Sequence, residues 1–253
     1  MATYKKTGSK AKKSQNTIEE HSTTADVFNT LDETASKSEQ WVIKNQKTIF
    51  IILGLVVAII LGYLAYHKYV ATPKEKEAAN ELAFPKAYFE DALSNPVATD
   101  SLFTLALNGA DGKYGFVDIS NEYSGTKAGN LANYYAGISY LRMKNYKDAI
   151  EYLEKFSSED ELLGPTAKGA IGDAFAQLDQ KEDAFDYYVT AAQINNNMYS
   201  TPKYLYKAAM MGASIGKTKQ ALTFLKRIEK EFSESTEAEL VGVQIGKLET
   251  LLK

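Results

Sequence analysis

The sequence is short of the residues on which most catalytic and metal sites depend. Its 253 residues include no cysteine and two histidines, so disulfides, thiol nucleophiles and cysteine-ligated metals are excluded. His21 lies in a polar tail and His67 follows an apolar run; neither can complete a metal cluster or a catalytic triad in the C-terminal part. The net charge of −3 gives no overall basic footprint for nucleic acid. These absences favour a protein that is not an enzyme and that uses no metal or cofactor.

Two short motifs that could suggest chemistry have simpler interpretations. The glycines of Gly109–Gly112 lack the downstream pattern of a phosphate-binding loop, and the segment is interpreted as a turn. The three consecutive acids of Glu159–Glu161 offer fewer ordered oxygen donors than a divalent-cation loop needs, so a solvated loop is favoured. The chain has only five prolines, and its long stretches rich in Ala, Leu, Lys and Glu predict an all-helical domain.

A long apolar run does stand out. Ile49–Ala65 carries no charge and is flanked by lysines and tyrosines. A bilayer core about 30 Å thick is crossed by roughly 20 helical residues, so a transmembrane helix is predicted over residues 48–69. The alternatives are a buried core helix and a cleaved signal peptide. The long N-terminal segment before the run, and the lack of a small-residue cleavage site after it, favour an uncleaved signal anchor.

The lysines around this run do not by themselves fix an orientation, because they are nearly balanced on its two sides. Lysines of the extreme N-terminus favour a cytoplasmic N-terminus: Lys5, Lys6, Lys10, Lys12 and Lys13. Within the run, Gly54, Ala58 and Gly62 recur every fourth residue on one face. Such a strip lets a second helix approach closely, but small residues are also common in spans, and both interpretations stay open.

The remaining chain divides by composition. Residues 1–22 are predicted to be a disordered, lysine-rich tail, and residues 23–47 a juxtamembrane amphipathic helix that lies on the membrane or meets a partner. A helical segment over 72–125 then leads into the C-terminal repeats. It begins at Thr72–Glu75, where Thr72 can cap, Pro73 suits the first helical position and Glu75 fits a capping box. Pro85 is expected to kink or divide its first helix.

Residues 126–253 repeat a pattern with a period of about 35 residues. A small residue is followed twelve positions later by alanine and sixteen later by a large residue. The three copies place at these offsets Gly137, Ala149, Leu153; Gly172, Ala184, Tyr188; and Ala209, Ala221, Leu225. Small residues at these positions allow two antiparallel helices to pack closely. The pattern resembles the tetratricopeptide repeat, with units near 130–163, 165–198 and 202–235 and a final capping helix. The predicted fold is all-α: a single transmembrane helix followed by a tetratricopeptide-repeat-like α-solenoid.

Repeats of this kind bind peptides along their first helices, and the register predicts which side chains face that groove. They are Leu131, Tyr134, Ile138, Leu141, Arg142, Asp173, Gln177, Lys203, Tyr206 and Met210. The Lys and Asn pattern of repeats that clamp a C-terminal carboxylate is absent, since Tyr134 and Ile138 stand in its place. An alternative is left open, in which Leu131, Ile138 and Leu141 pack inside against the preceding helices.

The architecture as a whole resembles the YfgM family of bacteria. The stretch YGFVDISNEYSGTKAGNLANYYAGISYL is similar to that family's approach to its repeats, and the segment Ser22–Gln46 resembles the Bacteroidota type. The resemblance implies an ancillary subunit of the SecYEG translocon, partnered with a PpiD-like chaperone and assisting emerging secretory proteins. It also implies an inner-membrane location with a cytoplasmic N-terminus and a periplasmic C-terminal domain.

Three functions are therefore weighed. The first is a translocon scaffold or holdase that contacts unfolded secretory proteins and membrane lipid, with no nucleic acid. The second is an envelope adaptor for assembly or cell division that never contacts clients. The third reverses the orientation and makes the chain a cytosol-facing receptor.

Overall fold

The structure, a computed structural model, describes residues 23–95 and 99–253. The predicted tail over residues 1–22 lies outside the described residues. All regular secondary structure in the described part is helical, which confirms the predicted all-α fold. The chain separates into two compact units, one ending at Leu64 and the other beginning at Ala65.

The first unit contains all but the last two residues of the long helix α1, Thr23–Tyr66. This helix covers both the predicted juxtamembrane helix and most of the predicted transmembrane helix, with no break between them. Its apolar side chains are exposed along the run, as for Ile59 at 68% and Phe50 at 61%. Within the described residues, one helical stretch is long and apolar enough to cross a membrane, and it contains this run.

The second unit begins with a π-helical segment, His67–Ala71, and three lead-in helices: α2 (Thr72–Ser94), α3 (Thr99–Asn108) and α4 (Phe116–Glu122). α2 continues directly from the π-helical segment, because Ala71 and Thr72 both have right-handed helical backbone angles. Thr72 does not cap α2, as was expected; its hydroxyl donates to the His67 carbonyl at 2.9 Å. Pro85 is buried inside α2 and does not divide it, so of the two expectations, a kink or a division, the division was wrong.

The lead-in helices are joined by an aromatic core. Phe103 and Phe116 are fully buried, and Phe89 is nearly so. The Phe89 ring lies edge-on to Phe103 and Phe116, with centroids 5.6 and 6.1 Å away. Phe116 in turn stacks on Tyr135 at 5.2 Å, and Tyr135 belongs to the next helix. Edge-to-face and stacked pairs of this kind add to the large apolar area that each ring buries.

Seven further helices build the solenoid. They are α5 (Lys127–Arg142), α6 (Tyr146–Lys155), α7 (Leu163–Gln177), α8 (Lys181–Ile194), α9 (Ser200–Ser214), α10 (Thr218–Glu231) and α11 (Ala238–Leu251). The first six form three consecutive pairs, which start two to three residues before the predicted repeat units. α11 buries Val241 and Leu248 in the cluster formed by the last pair and leaves Leu240 and Val243 exposed.

Within each pair the helices cross at the predicted small residues. A Cβ added at Gly137 would clash with the Leu153 side chain and would lie 3.1 Å from the Ala149 carbonyl oxygen. At Gly172 it would lie 2.7 Å from the Tyr188 ring and 3.3 Å from the Ala184 carbonyl oxygen. The same offsets in the third pair join Ala209, Ala221 and Leu225, all fully buried. Large residues therefore fill the space that the small residues leave.

The turn inside each pair has the same backbone conformation. Lys144, Asp179 and Gly216 have positive φ values of 62°, 57° and 79°. In each turn the following residue donates its N–H to a carbonyl five residues back, at 2.9 Å for the first pair, 3.0 Å for the second and 2.8 Å for the third. This is the hydrogen bond that closes a helix through a left-handed residue.

Glu75 does not serve α2 as a capping-box residue. Its two carboxylate oxygens accept hydrogen bonds from the backbone N–H groups of Lys127 and Ala128, at 2.8 and 3.2 Å. The Thr126 hydroxyl accepts from the Gly129 N–H at 2.9 Å. Together these acceptors satisfy the first N–H groups of α5, which have no partner within their own helix.

Asp160 gives the predicted acidic loop a structural role. Its carboxylate accepts hydrogen bonds from the backbone N–H groups of Leu162 and Leu163, both at 2.8 Å. These bonds hold the pKa of Asp160 below its usual range. The carboxylate thereby fixes the start of α7.

Candidate partner-binding groove

The first helices of the three pairs, α5, α7 and α9, line a groove with a volume of about 640 Å³. We call it the first-helix groove. It brings together six of the residues predicted from the repeat register: Ile138, Leu141, Arg142, Asp173, Gln177 and Lys203. These residues come from three helices that are far apart in sequence, because successive pairs stack with their first helices side by side.

Two other predicted residues, Tyr206 and Met210, line a neighbouring depression of about 350 Å³. It is more apolar than the first-helix groove and is completed by Met211 of the same helix. Tyr188 and Lys207 line both surfaces. The predicted third-repeat residues therefore divide between two adjoining surfaces instead of sharing one.

Leu131 and Tyr134 line neither surface. Leu131 packs on the cores of both the lead-in helices and the following pair. The Tyr134 ring lies 5.1 Å from the Phe156 ring, and burial raises the Tyr134 pKa. Ile138 and Leu141 contact the core and also line the groove. Packing against the preceding helices therefore describes Leu131 and Ile138, which are half-buried against the lead-in core, but not Leu141.

Asp173 lines the first-helix groove from α7, the middle one of the three first helices. One of its oxygens accepts hydrogen bonds from the Tyr188 hydroxyl at 2.7 Å and from the Lys207 ammonium at 2.6 Å. The same ammonium lies 5.4 Å from the centre of the Tyr188 ring. Burial, reinforced by the bond to the carboxylate, raises the Tyr188 pKa well above its usual value, so this phenol stays protonated.

Tyr188 and Lys207 were not among the predicted groove residues. The sequence does indicate a special role for Tyr188, because this tyrosine occupies the repeat position at which the other two copies have Leu153 and Leu225. A phenol at a core position needs a polar partner for its hydroxyl, and Asp173 provides one. Lys207 carries no comparable signal, since its pairing depends on how the second and third pairs stack.

The charges on the first-helix groove are unequal. Four cations, Arg142, Lys144, Lys203 and Lys207, accompany the single carboxylate of Asp173. Between them lie aliphatic side chains and the hydroxyls of tyrosine and threonine. Among the described residues no group of three or more His, Asp or Glu side chains is placed to hold a metal. The surface offers hydrogen bonds, ion pairs and apolar contacts, which are the means of binding another polypeptide.

The comparisons with known proteins include one repeat family. A family model described as tetratricopeptide repeat matches residues 131–160, which span most of α5 and all of α6. Two crystal structures of nearly identical TPR-like repeats from a candidate kinesin light chain of Podosopora anserina, one of them a single-residue variant, are similar to this chain. Each is 11% identical and has a TM-score of 0.49; the matches cover 69% of this chain and 85% or 86% of those chains. No curated protein matches this chain. The C-terminal unit is a tetratricopeptide-like helical-repeat solenoid.

Proposed function

We propose that this protein is a membrane-anchored scaffold or holdase at the SecYEG translocon, where it partners a PpiD-like chaperone and assists emerging secretory proteins. The observation that carries the proposal is the first-helix groove on a repeat solenoid that follows an exposed apolar helix in the chain. The apolar helix provides the anchor, and the solenoid provides a surface for a partner. The resemblance of the sequence to the YfgM family supplies the identity of the translocon.

In this proposal the N-terminus is cytoplasmic and the solenoid lies in the periplasm. Protease added to intact spheroplasts should then remove the solenoid, while an N-terminal tag stays protected. Protection of the solenoid would favour the cytosol-facing receptor instead.

Copurification tests the translocon assignment directly. The tagged full-length chain, isolated in mild detergent, should recover SecY and the PpiD-like chaperone above the level seen with an unrelated single-span protein. Recovery of envelope-assembly or division proteins without SecY would favour the adaptor function and contradict the proposal.

The strip of Gly54, Ala58 and Gly62 is proposed to contact a partner helix in the membrane. A Cβ added at Gly54 or Gly62 meets no atom within 4 Å, so replacing all three residues with leucine leaves the isolated helix unhindered. Close packing in lipid depends on small residues, and the triple variant should recover less SecY or chaperone.

The matched control for this strip lies on the opposite face of the same helix. Replacing Ile52, Val56 and Ile60 with leucine uses the same four-residue spacing and the same product residue. This control should recover partners at the wild-type level. Equal recovery by both variants would mean that the strip reflects ordinary span composition.

A further inference from the structure

The first-helix groove differs in charge from the protein that carries it. The whole chain has a net charge of −3, whereas the groove presents the four cations and one carboxylate described above. The adjoining apolar depression adds Lys181, which pairs with Asp179 at 3.2 Å. A cationic surface on an acidic protein attracts anionic partners selectively, because the rest of the surface repels them.

Three of these cations have no carboxylate partner. Arg142, Lys144 and Lys203 are exposed and form no ion pair with any described residue. Several lysines elsewhere do pair, as Lys155 does with Glu151 at 2.8 Å and Lys226 with Glu249 at 2.6 Å. The groove therefore keeps positive charge that its own chain does not neutralise.

The backbone positions of these cations follow from the fold. Arg142 ends α5, and the Lys203 ammonium lies 5.5 Å from the centre of the Tyr204 ring. Lys144 occupies the left-handed turn position that Gly216 fills in the third pair. Asp179 fills the same position in the second pair, so the turn sets where the Lys144 backbone lies at the end of the groove.

The groove floor indicates which class of anion fits. Ile138, Leu141 and Ala170 lie among the cations, and the methionines of the adjoining depression extend the apolar surface. Stacking of nucleic-acid bases needs exposed aromatic faces. Tyr188 and Tyr204 are only 5% and 2% exposed, so the half-buried Tyr146 is the one groove tyrosine with an accessible ring. A polypeptide with carboxylates beside apolar side chains matches both the charge and the floor.

We propose that the first-helix groove binds protein segments in which acidic residues alternate with apolar ones, and that Arg142, Lys144 and Lys203 select for the acidic residues. The inference rests on the proposed function only in that the groove binds polypeptide, and it names the chemistry of the segment bound. It holds for a translocon subunit, a chaperone or a secretory client alike.

The test uses the full chain in phosphatidylcholine nanodiscs and a fluorescent peptide that repeats Glu-Leu-Ser. Fluorescence anisotropy should show binding that weakens as salt is added, and a Gln-Leu-Ser counterpart should bind more weakly. Changing Arg142, Lys144 and Lys203 together to glutamine should weaken binding of the Glu peptide by roughly tenfold, since each exposed ion pair contributes modestly. Changing them to glutamate should instead favour a Lys-Leu-Ser peptide.

The control variant changes Lys219, Lys230 and Lys247 to glutamine, which removes the same charge from exposed positions on α10 and α11. It should bind the Glu peptide like the wild type. Equal binding of the Glu and Gln peptides, or equal losses in the two triple variants, would overturn the proposal. So would displacement of the peptide by polyuridine or by phosphatidylglycerol vesicles at lower concentration than by unlabelled peptide. Retained SecY copurification alongside either result would leave the proposed function standing.

Discussion

The lead-in helices and the helical pairs are held together by opposite means. In the lead-in helices the contacts are made by the large rings of Phe89, Phe103 and Phe116, which meet one another and Tyr135. In the helical pairs the backbones approach at Gly137 and Gly172 and at the equivalent Ala209.

This difference in packing indicates which residues contribute most to the free energy of unfolding. One aromatic ring buries roughly 150–250 Å², so a few residues determine the packing of the lead-in helices. A small residue buries little itself, and its effect is to admit a neighbour such as Leu153 or Tyr188. Losing a ring should therefore cost more than overfilling a crossing.

Removing a ring from the lead-in core should give the largest effect. Phe116→Ala leaves a cavity at a fully buried site and should lower the free energy of unfolding by about 3–5 kcal/mol. Thermal unfolding of the full chain in mild detergent, followed by tyrosine near-ultraviolet circular dichroism, measures it. Leu93→Ala on α2, where the side chain is 54% exposed, should cost little. Equal melting temperatures for the two variants would contradict the proposed role of the rings.

Overfilling a crossing should rank next. Gly172→Leu places a side chain against the Tyr188 ring and the Ala184 carbonyl and should destabilise the solenoid by about 1–3 kcal/mol. Gly242→Leu on α11 is the matched control, because a Cβ there meets no atom within 4 Å. The same melting assay should show a lower midpoint for the first variant alone. A loss larger than that of Phe116→Ala would reverse the comparison.

The turns within the pairs should respond more weakly. Gly216→Ala forces a side chain into a left-handed conformation (φ 79°) and should cost about 1 kcal/mol. Asp179→Gly, at the equivalent turn with φ 57°, should raise stability by less than about 1 kcal/mol, since relief of strain exceeds the added freedom of the unfolded chain. Urea unfolding of both variants and of the wild type measures whether each substitution lowers or raises the free energy of unfolding. Shifts in the same direction would show that the turns are not equivalent.

The last effect is absent at neutral pH and concerns a ring that lies against a small residue. Tyr204 packs on Gly169, and burial raises its pKa from 10.0 to about 12. The folded state holds the Tyr204 hydroxyl proton more tightly than the unfolded state. The contribution of this proton to the free energy of unfolding is therefore complete below pH 10 and is lost as the pH rises toward 12. Melting temperatures across this range should fall less for Tyr204→Phe than for the wild type. Tyr199→Phe, at a residue 79% exposed, should keep the wild-type slope.

The helical pairs were the part of the fold that could be predicted from sequence. A close backbone crossing accepts only glycine or alanine, so each pair leaves the same offsets between Gly137 and Ala149 and between Gly172 and Ala184. The lead-in core produces no comparable sequence pattern, because Phe89, Phe103 and Phe116 are irregularly spaced in the chain and come into contact only in the folded structure. The left-handed turns were hidden for a related reason, since glycine marks only the third.

The groove was predicted in part. The register of the first helices placed Ile138, Leu141 and Arg142 on its surface. It also included Leu131 and Tyr134, which face Phe156 and the neighbouring cores. One helix has several faces, and the face that stays open depends on how the next pair stacks. The central contact of Lys207 with Asp173 spans 34 residues, and no local pattern encodes it.

The Glu75 carboxylate stands earlier in the chain than the two N–H groups that it accepts from. Its hydrogen-bond donors at Lys127 and Ala128 follow it by 52 and 53 residues, so during N-to-C synthesis the acceptor exists long before α5 is made. When α5 forms, its first N–H groups find that acceptor in place, and each later helix adds to a surface already built. A ribosome-stalled chain ending after α6 should therefore already form the hydrogen bonds between Glu75 and the N-terminus of α5. A chain without α2 would lose the acceptor of the Lys127 and Ala128 N–H groups and keep only the Thr126 cap of α5, whatever the number of repeats that follow.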